Sequence, residues 1–117
     1  LYPRYELVMN YFDLDSLFEG VDLVVTAEGQ IDFQTPRGKI PAEVARRAKR
    51  HRLPVIAIAG TIGKGASVNL EHGVDAYTSI MDSPRSLEEA IELTPSLITE
   101  AAERMMRTLQ IGNKFLR

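Results

Sequence analysis

The chain contains no cysteine. No disulfide can staple it, and no thiolate can act as nucleophile or metal ligand; this composition is expected of a cytoplasmic protein. Histidine is scarce: His51 and His72 are the two. Neither has carboxylates at ligand spacing, which makes them a poor basis for a metal site. No apolar run approaches the ~20 residues needed to span a bilayer, and the first residues lack the pattern of a signal peptide. Excess charge is also missing. Fourteen Lys and Arg against sixteen Asp and Glu give a formal net charge of -2, no general reason to expect nucleic acid or an anionic membrane as partner. Internal repeats and low-complexity segments are absent.

What remains is an ordinary globular composition, 117 residues with 44% hydrophobic side chains. A chain of this length fits one α/β domain, residues 1–117, and a domain of that size buries about two-thirds of its unfolded surface. It begins at Leu1, in Leu1-Tyr-Pro-Arg-Tyr5, which does not look like a natural start. The expectation is a piece of a longer protein.

Periodicity divides the chain into alternating strands and helices. Glu6 to Phe12 is apolar enough for a short helix or strand. Asp15 to Gly20 reads as a helical turn closed by glycine. Asp22 to Ala27 is a continuous apolar run, as expected of a strand covered on both faces. Pro41 to His51 reads as a helix. Pro41 suits its first turn, Glu43 its positive end and Arg47, Lys49, Arg50 and His51 its negative end; Val44, Ala45 and Ala48 form its inner stripe. After Pro54, Val55 to Ala59 is a second buried strand. Gly60 to Gly65 is a glycine-rich turn, Ala66 to His72 a short helix capped by Gly73, and Asp75 to Ile80 a third strand. Ser86-Leu-Glu-Glu89 has the form of a capping box that starts a helix at Leu87. Thr94-Pro95 kinks that helix or starts another. Leu97, Ile98, Ala101, Ala102, Met105, Met106 and Leu109 give the last helix an apolar stripe.

This alternation implies a mainly parallel sheet with right-handed crossovers, in a three-layer α/β/α arrangement. The loops after the three strands, Glu28–Lys39, Gly60–Gly65 and Asp82–Arg85, then emerge on one sheet edge. Chemistry in α/β proteins collects there. The first loop is long for a strand-to-helix connection and rich in polar groups. Glu28 and Asp32 can hold Mg²⁺, or one of them can act as a general base toward a hydroxyl; the structural alternative is a solvated Glu28 and an Asp32 that caps a turn. Gln34 and Thr35 add an amide and a hydroxyl. Lys39 precedes the helix, where an ammonium and exposed N–H groups suit phosphate or carboxylate; a solvated lysine is the other reading. Gly60, Gly63 and Lys64 are candidates for nucleotide phosphate, since glycines let a backbone approach an anion. The Walker A spacing is not met, because Ile58 stands where that loop needs a glycine. A tight turn explains these glycines equally well. The basic run Arg46, Arg47, Lys49, Arg50, His51 and Arg52 has no interleaved aromatic residue and reads as a solvated helix face.

Asp22-Leu-Val-Val-Thr-Ala-Glu-Gly-Gln-Ile-Asp-Phe-Gln-Thr-Pro-Arg-Gly-Lys39 closely resembles a stretch of the bacterial glycerate kinase family, which reads as an apolar strand, Thr-Gly-Glu-Gly-x-x-Asp, x-Gln-Thr, two residues and Gly-Lys. The similarity continues through Val44-Ala45, Pro54 to Gly60, Gly73-Val-Asp75 and the helix after Ser86. Nearly the whole chain fits the C-terminal third of such an enzyme. The resemblance implies a two-domain α/β enzyme that transfers the γ-phosphate of ATP to a hydroxyl of D-glycerate with Mg²⁺. It implies catalytic or metal-binding roles for Glu28, Asp32 and Lys39, substrate contacts for Gly29, Gln34 and Thr35, and a partner in the remainder of the polypeptide. The departure is Ala27, where the family usually has glycine. The chain alone is expected to fold without catalysing. A non-catalytic α/β module that binds an anion or a partner at the same loops is the rival reading. Self-association that buries orphaned surface is a further structural alternative.

Overall fold

A computed structural model describes residues 13–37 and 40–115. The segment Glu6 to Phe12 lies outside them. The chain divides into two compact units, one ending at Thr78 and the other beginning at Ser79.

The first unit opens with the short helix α1 (Leu14–Leu17), whose N-cap Asp13 accepts from the Ser16 amide at 3.3 Å. The chain turns through Gly20 into strand β1 (Val24–Ile31). Helix α2 (Ile40–Arg50) follows, with Glu43 in its first turn and Arg47, Lys49 and Arg50 in its last. Strand β2 (Val55–Ile62) leads to a 3-10 helix (Ala66–Glu71) and then to strand β3 (Ala76–Ser79). The sheet order is β1-β2-β3, and β1 runs parallel to β2 in a register from Val24↔Val55 to Ile31↔Ile62. A parallel pair joined by a helix is what the alternating pattern predicts, and the α/β class is borne out.

The core forms where the small-residue face of α2 meets the sheet. Ala45 and Ala48 of α2 cluster with Val24 and Ile31 of β1, with Val55, Ala57 and Ala59 of β2, and with Val74. Alanines on the helix let it lie close to the strands, so burial is gained without long side chains. Asp75 fastens the junction between α2 and β2. Its carboxylate pairs with Lys49 Nζ and also accepts from the Val55 amide at 2.8 Å. Burial pushes the Asp75 carboxyl up, but the hydrogen bonds from Lys49 and Val55 together hold it below its ordinary value of 3.8.

Three expectations change. Both long strands run further than their apolar cores. Glu28, Gly29, Gln30 and Ile31 belong to β1, and Gly60, Thr61 and Ile62 belong to β2. The ladder is made by backbone groups, so it continues through polar residues such as the Gln30↔Thr61 pair and. Second, β1 is not covered on both faces: Val25 is 46% exposed and Ala27 is exposed too. It stands at the edge of the sheet order, and among the described residues β2 is its one strand neighbour. Third, Ala66 to Glu71 winds as a 3-10 helix rather than an α-helix, as short connectors commonly do.

In the second unit, Ser86 caps helix α3 (Leu87–Glu92) as expected, its hydroxyl accepting from the Glu89 amide at 3.2 Å. Thr94 and Pro95 begin a separate helix, α4 (Thr94–Phe115). Thr94 does not cap it forward; its hydroxyl donates back to the Ala90 carbonyl at 2.8 Å. Of the stripe on α4, Leu97 and Ala101 are buried, while Ile98, Met106 and Leu109 are exposed. The loop before α3 is closed by Arg85, whose guanidinium bonds Asp82 and holds that carboxyl below the usual range. Among the described residues, no helix is long and apolar enough to cross a membrane.

Candidate functional site

The site starts where β1 and β2 end together. Beyond the last ladder pair, the two strands are stitched by their following segments. The Gly63 amide donates to the Ile31 carbonyl at 2.7 Å, and the Phe33 amide donates to the Lys64 carbonyl at 3.0 Å. The loops after β1 and β2 therefore form one surface.

Asp32 stands at its centre, and nearly every polar group around it is engaged in holding it. Its amide donates to Thr35 Oγ1 at 3.0 Å, and its carbonyl accepts from Asn69 Nδ2 at 2.9 Å. Its Oδ1 accepts from the Gln34 amide at 2.8 Å, the turn that an aspartate forms with the backbone two residues on and. Its Oδ2 accepts from Gln30 Nε2 at 3.0 Å. The turn-capping role and the fixed carboxylate thus coexist, because an ionised carboxylate has about four lone-pair sites.

The other sequence candidates fall around this centre in different ways. Gln34 contributes its amide to Asp32, and the residue is exposed. Thr35 is 1% exposed; its hydroxyl is turned to the Asp32 amide, so it supports the loop from beneath rather than facing a ligand directly. Glu28 lies on β1 and is half-buried, with Oε1 accepting from the Gly29 amide at 3.0 Å. From Glu28 to Ile31 the strand advances roughly 10 Å, at about 3.3 Å per residue, and among the described residues no hydrogen bond links the Glu28 and Asp32 carboxylates to a shared partner. No group of three or more His, Asp or Glu that could hold a metal occurs among the described residues. Lys39 lies outside them.

The glycines at the end of β2 and just after it have structural work. A Cβ on Gly60 would stand 2.6 Å from the Gly29 carbonyl oxygen, so glycine here allows β1 and β2 to close on each other. A Cβ on Gly63 would meet Gln30 Nε2 at 2.6 Å and Asp32 Cβ at 3.0 Å. With the Gly63 amide committed to Ile31, the expected phosphate cradle loses that donor; Lys64 in this turn is exposed. Gly29 differs, because a Cβ there would meet nothing within 4 Å.

Two residues of the site were missed by sequence reasoning. Gln30 and Asn69 both touch Asp32. Asn69 is 1% exposed and also bonds the Ala66 carbonyl at 2.9 Å. A buried amide at the end of a short helical turn leaves no periodic trace. Gln30 lies inside the motif, and its alternation with Glu28 and Asp32 along the strand was the available signal.

The glycerate kinase family model matches residues 1–110. A glycerate kinase from Halalkalibacterium halodurans is 43% identical over 105 residues, covering 90% of this chain and 28% of that protein. A glycerate kinase from Bacillus cereus is 41% identical over 109 residues, covering 93% of this chain and 29% of that protein. A crystal structure described provisionally as glycerate kinase 2 from Salmonella typhimurium LT2 superposes with a TM-score of 0.69 at 35% identity, covering 94% of this chain and 28% of that one. The chain therefore spans little more than a quarter of the relatives it matches. The match to the family model, to these relatives and to the solved fold agrees with the motif around Asp32, and the chain belongs to the glycerate kinase family.

Proposed function

We propose that this chain is the C-terminal part of a kinase that transfers the γ-phosphate of ATP to a hydroxyl of D-glycerate, with Asp32 at the centre of the reaction. The observation that supports this most is the fixing of Asp32 at the end of β1 by Gln30, Gln34, Thr35 and Asn69. A general base must be held within reach of one particular proton, and a carboxylate with its amide, carbonyl and both oxygens engaged has little freedom left to move.

In this reading an oxygen lone pair of Asp32 accepts the proton of the glycerate hydroxyl. The hydroxyl oxygen bonds to the γ-phosphorus as the bond to the β-phosphate oxygen breaks, and ADP leaves. Such a transfer depends on alignment and on cations set against the developing charge. Lys64 and Lys39 are the cations assigned to that charge. Gln34 and Gly29 are assigned to the substrate side, Gly29 because its open Cα admits a close approach. Thr35 contributes by keeping Asp32 in register.

No group of three or more His, Asp or Glu among the described residues could hold a metal, so a Mg²⁺ here would arrive with the nucleotide. Mg²⁺ commonly takes only one or two protein carboxylates, and Asp32 would be the carboxylate assigned to it. Glu28 is assigned a supporting place further along β1. When bound, the ion neutralises phosphate charge.

The test uses the full-length protein. Asp32→Ala is expected to lower glycerate phosphorylation by about 10²–10⁴-fold, the usual cost of losing a general base, in an assay coupled to ADP release. Turnover near the wild-type rate would remove Asp32 from the mechanism. A wild-type protein that binds anions without consuming ATP would remove the kinase reading altogether.

A further inference from the structure

Gln30 lies near the end of β1, a strand whose other polar side chains are Thr26 and Glu28. Its amide is engaged at both ends. Nε2 donates to Asp32 Oδ2 at 3.0 Å, and Oε1 accepts from Thr61 Oγ1 at 3.4 Å. Thr61 is the direct register partner of Gln30 across the β1–β2 ladder. The orientation of the amide is therefore determined. If it were flipped, its oxygen would face the Asp32 carboxylate, and two acceptors would meet without a proton between them.

The surroundings make room for this arrangement. Gly63 leaves open the volume beside Nε2 that any Cβ would occupy, at 2.6 Å. Gly63 itself is held by its bond to the Ile31 carbonyl. A threonine on the neighbouring strand and a glycine in the next loop thus bear on the amide of Gln30, and that amide bonds one oxygen of one carboxylate. Gln30 is also exposed, so this is not a device for filling a core. A side chain that supports no core and bonds the central carboxylate bears on the pose of that carboxylate.

We propose that Gln30 is a positioning residue for Asp32: its amide, oriented by Thr61 and given space by Gly63, fixes the rotation of the carboxylate that the substrate hydroxyl meets. This rests on the reading of Asp32 as the group that receives the hydroxyl proton. Gln30 acts through Asp32 and has no separate role.

A double-mutant cycle on the full-length protein separates the alternatives, because residues that act through one another give non-additive effects. Gln30→Ala is expected to lower kcat for glycerate by about tenfold while leaving the KM for ATP within about twofold, the size of an ordinary coupling between touching polar groups. In an Asp32→Asn background the same change is expected to cost less than about twofold. Equal losses in both backgrounds would overturn the proposal, because Gln30 would then be acting on its own. A rise in KM with kcat unchanged would overturn it too, by making Gln30 a substrate contact. A second cycle, on thermal unfolding of the same protein, needs no turnover. Gln30→Ala and Asp32→Ala together are expected to lower Tm by less than the sum of the single changes, and strict additivity would overturn the proposal. If the wild-type protein failed to phosphorylate glycerate while the unfolding cycle still showed coupling, the kinase reading would fall and the link between Gln30 and Asp32 would stand.

Discussion

Asp32 shows how much support a single surface carboxylate can require. Its backbone amide is satisfied by Thr35 Oγ1 and its backbone carbonyl by Asn69 Nδ2, and both supporting residues are 1% exposed. Thr35 is therefore the place to ask whether the loop's geometry depends on the hydroxyl or only on filled space. Thr35→Val keeps the shape and removes the acceptor. It leaves the Asp32 amide without its partner, and loss of a partner for a buried polar group costs about 1–3 kcal/mol. Thr35→Ser keeps the acceptor and loses only a methyl group. Denaturant unfolding of the full-length protein is expected to show Thr35→Val as the more destabilised of the two, with the larger loss of glycerate turnover. Equal effects would mean that packing alone sets the loop. The motif residues Glu28, Asp32, Gln34 and Thr35 were legible in the sequence as a polar group. Their division into a central carboxylate and a buried support was not, because burial depends on the 3-10 helix. Asn69 reaches Asp32 across 37 residues of sequence, a distance that no local pattern spans.

At the scale of elements, the helices and apolar strand cores were legible because their signals are local. Pro41, the alanines at 45 and 48, and the Ser86 cap each act within a turn or two. The strand ends were not legible. Gln30 and Thr61 resemble loop residues, yet they pair because the backbone ladder continues beneath them. The same limit applies to the tie at Asp75, which links the ends of α2 and β2 through Lys49 and the Val55 amide. This tie carries a prediction for pH. The Asp75 carboxyl lies below 3.8 in the folded protein. A depressed carboxylate binds its proton more weakly when folded, so its contribution is complete above the unfolded value and disappears as pH falls through the folded one. Wild type is therefore expected to be more stable than Asp75→Asn above about pH 4, the usual carboxylate value. The difference in Tm should narrow steadily as the pH is lowered beyond it. Asp75 is half exposed, so the effect is modest. A Tm difference that stayed constant from neutral pH to pH 2 would show that the ionised tie contributes nothing.

For the whole molecule, the decisive quantity is coverage. The chain accounts for 28% of the Halalkalibacterium relative, and several apolar side chains on its own surface are exposed. Val25 is 46% exposed on β1, Ile62 is 48% exposed at the end of β2, and Phe33 is 48% exposed beside Asp32. These apolar side chains, on β1, in the segment after it and at the end of β2, are costly in water where they form one patch that nothing covers. The described site residues alone would not complete the proposed phosphoryl transfer. In the proposed reading the carboxylate of Asp32 and the charge of Lys64 would meet a hydroxyl and part of a phosphate, while two substrates would still need enclosing surface to be held in line and kept from water. The isolated chain is therefore expected to fold, since α2 and the sheet already share a buried core, and to lack turnover. Far-ultraviolet circular dichroism of the purified 117-residue chain should show a cooperative thermal transition, while an ADP-release assay with glycerate and Mg·ATP should give no signal above the uncatalysed background. Catalysis by this chain alone would mean that a single carboxylate loop suffices for the reaction. Absence of a cooperative transition would mean that the core between α2 and the sheet depends on the covering surface as much as the site does.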